Sequence, residues 1–172
     1  MTQNSFLPND YELAKSSAGN FFKIQDGESI KIRILSNSLV GWQYFKEDGE
    51  KLKSIRKKTK FETTPGIKKD TTQKEFRAFV IFNYETGSVQ IWEVTQSKIK
   101  EAIFKLYKDA DFWDPKGYDI KVSRTGKGLD TSYSVFPLSK SAFDNKEALE
   151  QAEKINLEEL IDGGDPFNPI PF

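Results

Sequence analysis

The sequence predicts a mainly β fold: a five-stranded Greek-key β-barrel with one inserted helix and a flexible acidic C-terminal tail. Three observations carry this. Short runs alternate apolar and polar side chains in the period of two that a half-buried strand requires, and glycine-bearing turns separate them. One stretch, opening at Ser97, instead repeats its apolar residues with a helical period. Charge is segregated along the chain: Ser141 to Phe172 holds 8 acidic residues against 2 basic ones, a net of −6, and because the whole chain sums to zero, residues 1–140 carry +6. Four segments follow from this: an N-terminal arm (1–19), a β-domain (20–138), a linker or exposed helix (139–161) and an acidic tip (162–172).

Residues 1–19 are polar and contain Ser16-Ser17-Ala18-Gly19, the composition of an arm or linker; such an arm can help two copies associate as a homodimer. Phe21, Phe22 and Ile24 lead to an Asp26-Gly27 turn. Glu28 to Ser36 then alternates, with Ile30, Ile32 and Ile34 on one face and Lys31 and Arg33 on the other. Leu39 to Phe45 continues the sheet, and Glu47-Asp48-Gly49-Glu50 turns the chain. Residues 63–73 form a Thr- and Lys-rich loop with Pro65 and Gly66, expected to be mobile. Lys74 to Tyr84 is apolar on both faces, as a central strand must be, and Glu85-Thr86-Gly87 joins it to a strand from Ser88 to Thr95. Ser97 is placed to cap a helix whose stripe is Ile99, Ala102, Ile103 and Leu106 and which ends near Asp109. Tyr118, Ile120 and Val122 alternate again, as do Thr131, Tyr133 and Val135. Thr125, Gly126, Lys127 and Gly128 make the tight turn between them, and Pro137 closes the second strand. Beyond it, 142–155 has the charge density of an exposed helix, and two glycines and three prolines after Ile161 oppose regular structure. Hairpin groups interrupted by one helix suggest a barrel of the oligonucleotide-binding type, or an open α+β sandwich of the same strands.

Composition excludes several chemistries. The chain has no cysteine and no histidine, so disulfides, thiolate or imidazole metal sites and histidine acid-base catalysis are out of reach. No cofactor and no enzymatic activity are expected. A carboxylate-metal nuclease needs clustered acids, and the nearest set, Asp109, Asp111 and Asp114, shares one loop with no evident base. No run is long and apolar enough to span a membrane, and no signal pattern opens the chain, so a soluble cytoplasmic protein is expected.

The positive charge points to a polyanion. Residues 51–60, KLKSIRKKTK, carry Lys51, Lys53, Arg56, Lys57, Lys58 and Lys60 and no acid. Aromatic residues border the run: Trp42, Tyr44 and Phe45 before it and Phe61 after it. Cations for phosphates beside ring faces for unpaired bases are what a single-stranded nucleic acid needs, each stacked base contributing about 1–3 kcal/mol. Arg77, and Lys121, Arg124 and Lys127 of the last hairpin, add phosphate candidates; Trp92 and Tyr133 add stacking candidates. Each phosphate contact should make affinity fall by about 0.7 log unit per log unit of salt.

The hairpin YDIKVSRTGKGLDTSYSVFPL and the opening FFKIQDGESIKIRILS resemble the corresponding segments of the replication-type single-stranded DNA-binding proteins encoded by bacteriophages. The ending, Ile170-Pro171-Phe172 behind Asp162 and Asp165, is similar to the acidic tip of bacterial single-stranded DNA-binding proteins. The resemblance spans roughly residues 20–138 and the last dozen. It implies an oligonucleotide-binding fold, sequence-independent binding of unpaired DNA during phage replication, recombination and repair, and work in the cytoplasm of an infected bacterial host. It also implies a tip (Asp162, Asp165, Ile170, Pro171, Phe172) that recruits phage replication proteins such as a polymerase or helicase-primase. Some phage relatives hold a structural zinc through Cys and His; this chain has neither. The tip is less acidic than the bacterial pattern, with Asn168-Pro169 where acids are expected. At −6, the tail can occupy the +6 body when DNA is absent. The rival readings are a β-barrel adaptor whose basic run meets an acidic protein, and a single-stranded RNA binder using the same surface.

Overall fold

The computed structural model describes residue 6 and residues 17–167, which form a single antiparallel sheet with helices on both faces. The strands are β1 (Ser29–Ile34), β2 (Leu39–Asp48), β3 (Lys51–Lys57), β4 (Lys74–Asn83), β5 (Ser88–Val94), β6 (Tyr118–Thr125) and β7 (Ser132–Lys140). The helices are α1 (Ser97–Lys108), α2 (Lys146–Glu153) and the single-turn α3 (Glu159–Asp162). The fold is mainly β, as expected, but it has seven strands rather than five, and the sheet stays open. Its order is β3-β2-β4-β1-β6-β7, with β5 on β4, and no pairing joins the ends among the described residues.

Strand β4 is the axis of the sheet. Its residues 77–83 pair with β5, while on the other edge residues 74–78 pair with β2 and 81–83 with β1. Strands β1 and β2 thus lie end to end along one neighbour, and the intervening Leu35 N–H still donates to the Val80 carbonyl at 2.8 Å. Both faces of β4 are buried. Phe79 and Ile81 join Ile30, Ile32, Ile34, Trp92, Val94, Ile120 and Val122 in the main core, under Ile99, Ile103 and Leu106 of α1. Phe76, Ala78, Val80 and Phe82 point the other way, toward α2, α3 and their connections.

That second layer corrects the expectation for the C-terminal segment. Residues 139–161 are no free linker and no fully exposed helix. Ala148 and Ala152 of α2 are buried against Val80, Phe82 and Val89, and Leu157, Leu160, Ile161 and Phe167 pack over Phe76, Ala78 and Ile91. The physical reason is on β4: a strand apolar on both faces needs two covers, and α1 supplies only one. Asn145 caps α2 by accepting from the Ala148 N–H at 3.0 Å.

Four local expectations also change. Ser97 is the first helical residue of α1 rather than its cap; Gln96 holds the cap position, and its side-chain oxygen accepts from the Thr95 N–H instead. The residue 63–73 loop is pinned rather than loose: Glu47 N–H donates to the Gly66 carbonyl, Lys68 N–H to the Phe45 carbonyl, and the Gln73 amide bonds both backbone groups of Phe61 at 2.8 Å. The β6–β7 connection is longer than a tight turn, because Thr125 pairs with Ser132 and a 3₁₀ turn (Gly128–Asp130) lies between. Gly126 there has φ of 88°, and a Cβ would fall 2.1 Å from the Asp130 carbonyl oxygen, so only glycine fits. Strand β7 runs through Pro137 to Lys140; as an edge strand it tolerates a residue without an N–H.

Among the described residues no helix is long and apolar enough to cross a membrane.

Candidate nucleic-acid interface

Cross-strand register places the basic run. In the β2–β3 hairpin Trp42 faces Lys57, Tyr44 faces Ile55, Lys46 faces Lys53 and Asp48 faces Lys51, all on one side of the sheet. Lys46 opposite Lys53 sets two like charges side by side, which costs stability unless an anion lies near. The 58–73 loop folds back on the same strand, bridging Ile67 to Lys46, and brings Lys60 and Phe61 beside the hairpin. Lys60 Nζ lies 5.4 Å from the Trp42 ring centroid, and Lys57 Nζ lies 5.1 Å from that of Phe61. Phe61 stands edge-on to Tyr44 at 4.9 Å, and the Tyr44 hydroxyl donates to the Pro65 carbonyl at 3.1 Å. Four sequence candidates, Trp42, Lys57, Lys60 and Phe61, therefore meet in one patch, with exposed Lys51 and Lys53 extending it toward the hairpin tip.

The other candidates divide. Arg56 faces away from this patch, stacked 4.7 Å from the Phe76 ring and bonded through both terminal nitrogens to Glu93 at 2.9 and 3.0 Å, so its charge is already answered. Lys58 pairs with Glu158 at 2.8 Å, a surface contact contributing about 0–1 kcal/mol. Arg77 pairs with Glu75 at 3.2 Å. Phe45 is 42% exposed on the Arg56 side of the hairpin. Tyr44 and Trp92 are each 4% exposed, so neither offers a ring face to a base; they are core, with Trp92 edge-on to both Phe22 and Phe79. Lys127 is exposed at the β6–β7 tip, but Arg124 turns inward rather than into solvent. Its Nη1 donates to the Ile24 carbonyl at 2.9 Å, and its guanidinium lies 5.9 Å from the Tyr133 ring. Arg124, Tyr133 and Trp92 line a hollow of about 510 Å³. Lys121 is on the opposite face of the sheet, across from Lys31 and the exposed Phe136.

Two sets of rings were not singled out from the sequence. Phe104 and Tyr107 of α1 are each 48% exposed, and Lys108 Nζ lies 5.6 Å from both centroids. Their signal was a second stripe, Lys100-Phe104-Tyr107, beside the Ile99 stripe. On the other face Lys31 Nζ lies 4.2 Å over Tyr84, whose hydroxyl donates to Asp119 at 2.8 Å. Partial burial, with the Asp119 carboxylate adding to it, pushes the Tyr84 hydroxyl up to about 12.

The tip residues have separate fates. Asp162 ends α3, and Asp165 accepts from the Phe167 N–H at 3.0 Å; Ile170, Pro171 and Phe172 lie outside the described residues, as does most of the N-terminal arm. Asp109 and Asp114 shape their own loop, accepting from the N–H groups of Asp111 and Lys116, and no group of three or more His, Cys, Asp or Glu among the described residues is placed to hold a metal.

No family model, curated protein or solved structure matches this chain.

Proposed function

We propose that this protein binds single-stranded DNA without regard to base sequence, protecting it during phage DNA replication, recombination and repair in the cytoplasm of an infected bacterium. The observation that carries the reading is the patch on the β2–β3 hairpin, where Lys60 over Trp42 and Lys57 over Phe61 set ammonium groups against partly buried rings. Phosphates replace the counterions of such lysines, and unpaired bases stack on the rings, a combination indifferent to sequence.

The strand connectivity supports an oligonucleotide-binding type of barrel. Taking β1 with β2 as one long bent strand, the pairings β1–β4, β4–β5, β1–β6 and β6–β7 follow a five-stranded Greek key whose closing contact, β5 with β7, is missing among the described residues. Folds of that type bind along their second and third strands and the two flanking loops. Here the outer face of β4–β5 lies under α2 and α3, so the bound strand is assigned to the β2–β3 hairpin and the pinned loop. The acidic tip, including Ile170-Pro171-Phe172, is assigned to phage replication proteins.

Titrating the full-length protein with oligothymidine at low and then raised salt, with a duplex control, tests the function. Quenching of tryptophan fluorescence by the single strand, weakened by salt and weak with duplex, is expected. Absence of quenching and of a gel shift at every salt concentration overturns it in favour of a protein adaptor.

A further inference from the structure

A groove of about 320 Å³ opens between α1 and the β2–β4 face. The surface it exposes is mostly apolar, from Val40 of β2, Phe79 of β4 and Ile103, Phe104 and Tyr107 of α1, and Glu75, Arg77, Lys100, Asp114 and Lys116 complete the charged part of the lining. Val40 lies two residues before Trp42 and on the same face, with Arg77 and Glu75 of β4 opposite the two and also lining the groove, which therefore opens beside the hairpin patch. Val40 of β2 and Phe104 and Tyr107 of α1 are each nearly half exposed, at positions open to polar residues. Helix α1 bears Lys98, Lys100, Lys105 and Lys108 against the single acid Glu101, and Lys108 lies over both outer rings as Lys60 and Lys57 lie over theirs.

Resting on the single-strand reading above, we propose that this groove receives an unstacked base of the bound strand, held between the Phe104 and Tyr107 rings and the Val40 wall, while Lys108 and Lys105 of α1 meet its flanking phosphates. The apolar walls suit a flat heterocycle, the charged side chains of the lining answer one another, Arg77 with Glu75 at 3.2 Å and Lys116 with Asp114 at 3.8 Å, and Val40, two residues from Trp42 on the same face, sets the groove beside the hairpin patch. Stacking on ring faces tolerates any base, so the site adds affinity without sequence preference.

The test uses full-length protein and an oligothymidine in which single positions carry 5-iodouracil. Irradiation of the wild-type complex should cross-link the strand to Phe104 or Tyr107, in addition to Trp42. The double variant Phe104→Ala, Tyr107→Ala should bind oligothymidine at least about fivefold more weakly, and Phe104→Trp, Tyr107→Phe should restore binding. Unchanged thermal melting of the alanine variant separates lost binding from lost folding, and the cross-link gives an answer if that variant does not fold. If the wild type binds oligothymidine but gives cross-links to Trp42 alone, and the alanine variant binds as tightly as wild type, the groove has another occupant and the inference fails. If the wild type does not bind at all, the functional reading fails first.

Discussion

Lys60 Nζ sits 5.4 Å from the centroid of the Trp42 indole, on a ring that is itself only partly buried. Trp42 is thereby the best-placed reporter of a bound strand. Trp42→Ala should weaken oligothymidine binding by about 1–3 kcal/mol and remove most of the fluorescence response. The remaining signal should come from Trp113, which is 65% exposed, and not from buried Trp92; equilibrium titration of Trp42→Phe and Trp113→Phe checks the assignment.

Lys57 and Arg56 are neighbours in sequence with opposite surroundings. Lys57→Gln should lower the salt dependence of binding by about 0.7 log unit per log unit of salt and leave stability unchanged. Arg56→Ala should do the reverse, costing about 1.5–3 kcal/mol of stability through its two bonds to Glu93 while leaving the salt slope nearly intact. Salt titrations and urea unfolding of the two variants separate the roles.

Arg33 is 2% exposed and fully engaged: Nε donates to Asp119 at 2.8 Å, Nη1 to the Lys116 carbonyl, and Nη2 to the Ser141 carbonyl and hydroxyl. Removing it leaves Asp119 uncompensated, so Arg33→Ala should cost about 3–5 kcal/mol. Arg33→Met with Asp119→Asn should recover much of that loss, measured by urea unfolding.

Tyr118 is fully buried, its hydroxyl has no hydrogen-bond partner among the described residues, and desolvation, with Asp114 and Asp109 adding to it, pushes its ionisation up to about 12. The folded state therefore favours the protonated phenol. Its contribution is fully present below the unfolded value near 10 and is lost as pH rises toward 12. Tyr118→Phe should stabilise the protein by about 1 kcal/mol near neutrality, because it removes an unsatisfied buried group, and should flatten the loss of stability above pH 10. Thermal melts across alkaline pH read both effects.

Leu157 and Leu160 lie on the Phe76–Ala78–Ile91 face. Alanine at either should cost about 1–2 kcal/mol, and a chain ended after Asn156 should melt earlier than the full chain. Glu158→Gln, which breaks only the exposed Lys58 pair, should leave the melt unchanged within about 1 kcal/mol and tighten DNA binding at low salt.

Strand positions were legible because alternation in Glu28–Ser36, Lys74–Tyr84 and Tyr118–Val122 reports burial directly. The open edge was not, since pairing between distant strands leaves no local mark. The basic run was equally plain, yet whether Arg56 or Lys57 is free depends on Glu93, a residue on β5 far along the chain. Trp92 and Trp42 look alike in sequence; only the packing of Phe22 and Phe79 tells them apart. The doubly apolar face of β4 did announce a missing cover, and Ala148, Ala152, Leu157 and Leu160 were available to supply it, but their abundance of charged neighbours reads as solvent exposure.

That cover comes late. During synthesis Phe76 and Ala78 leave the ribosome long before Leu157, Leu160 and Phe167 exist, and at about 5–20 residues/s the apolar face of the central strand stays bare for several seconds. The nascent chain must pass that interval with its stickiest surface uncovered. A pause in translation between residues 83 and 157 would lengthen it, making aggregation of new chains, rather than instability of finished ones, the first symptom of slowed synthesis.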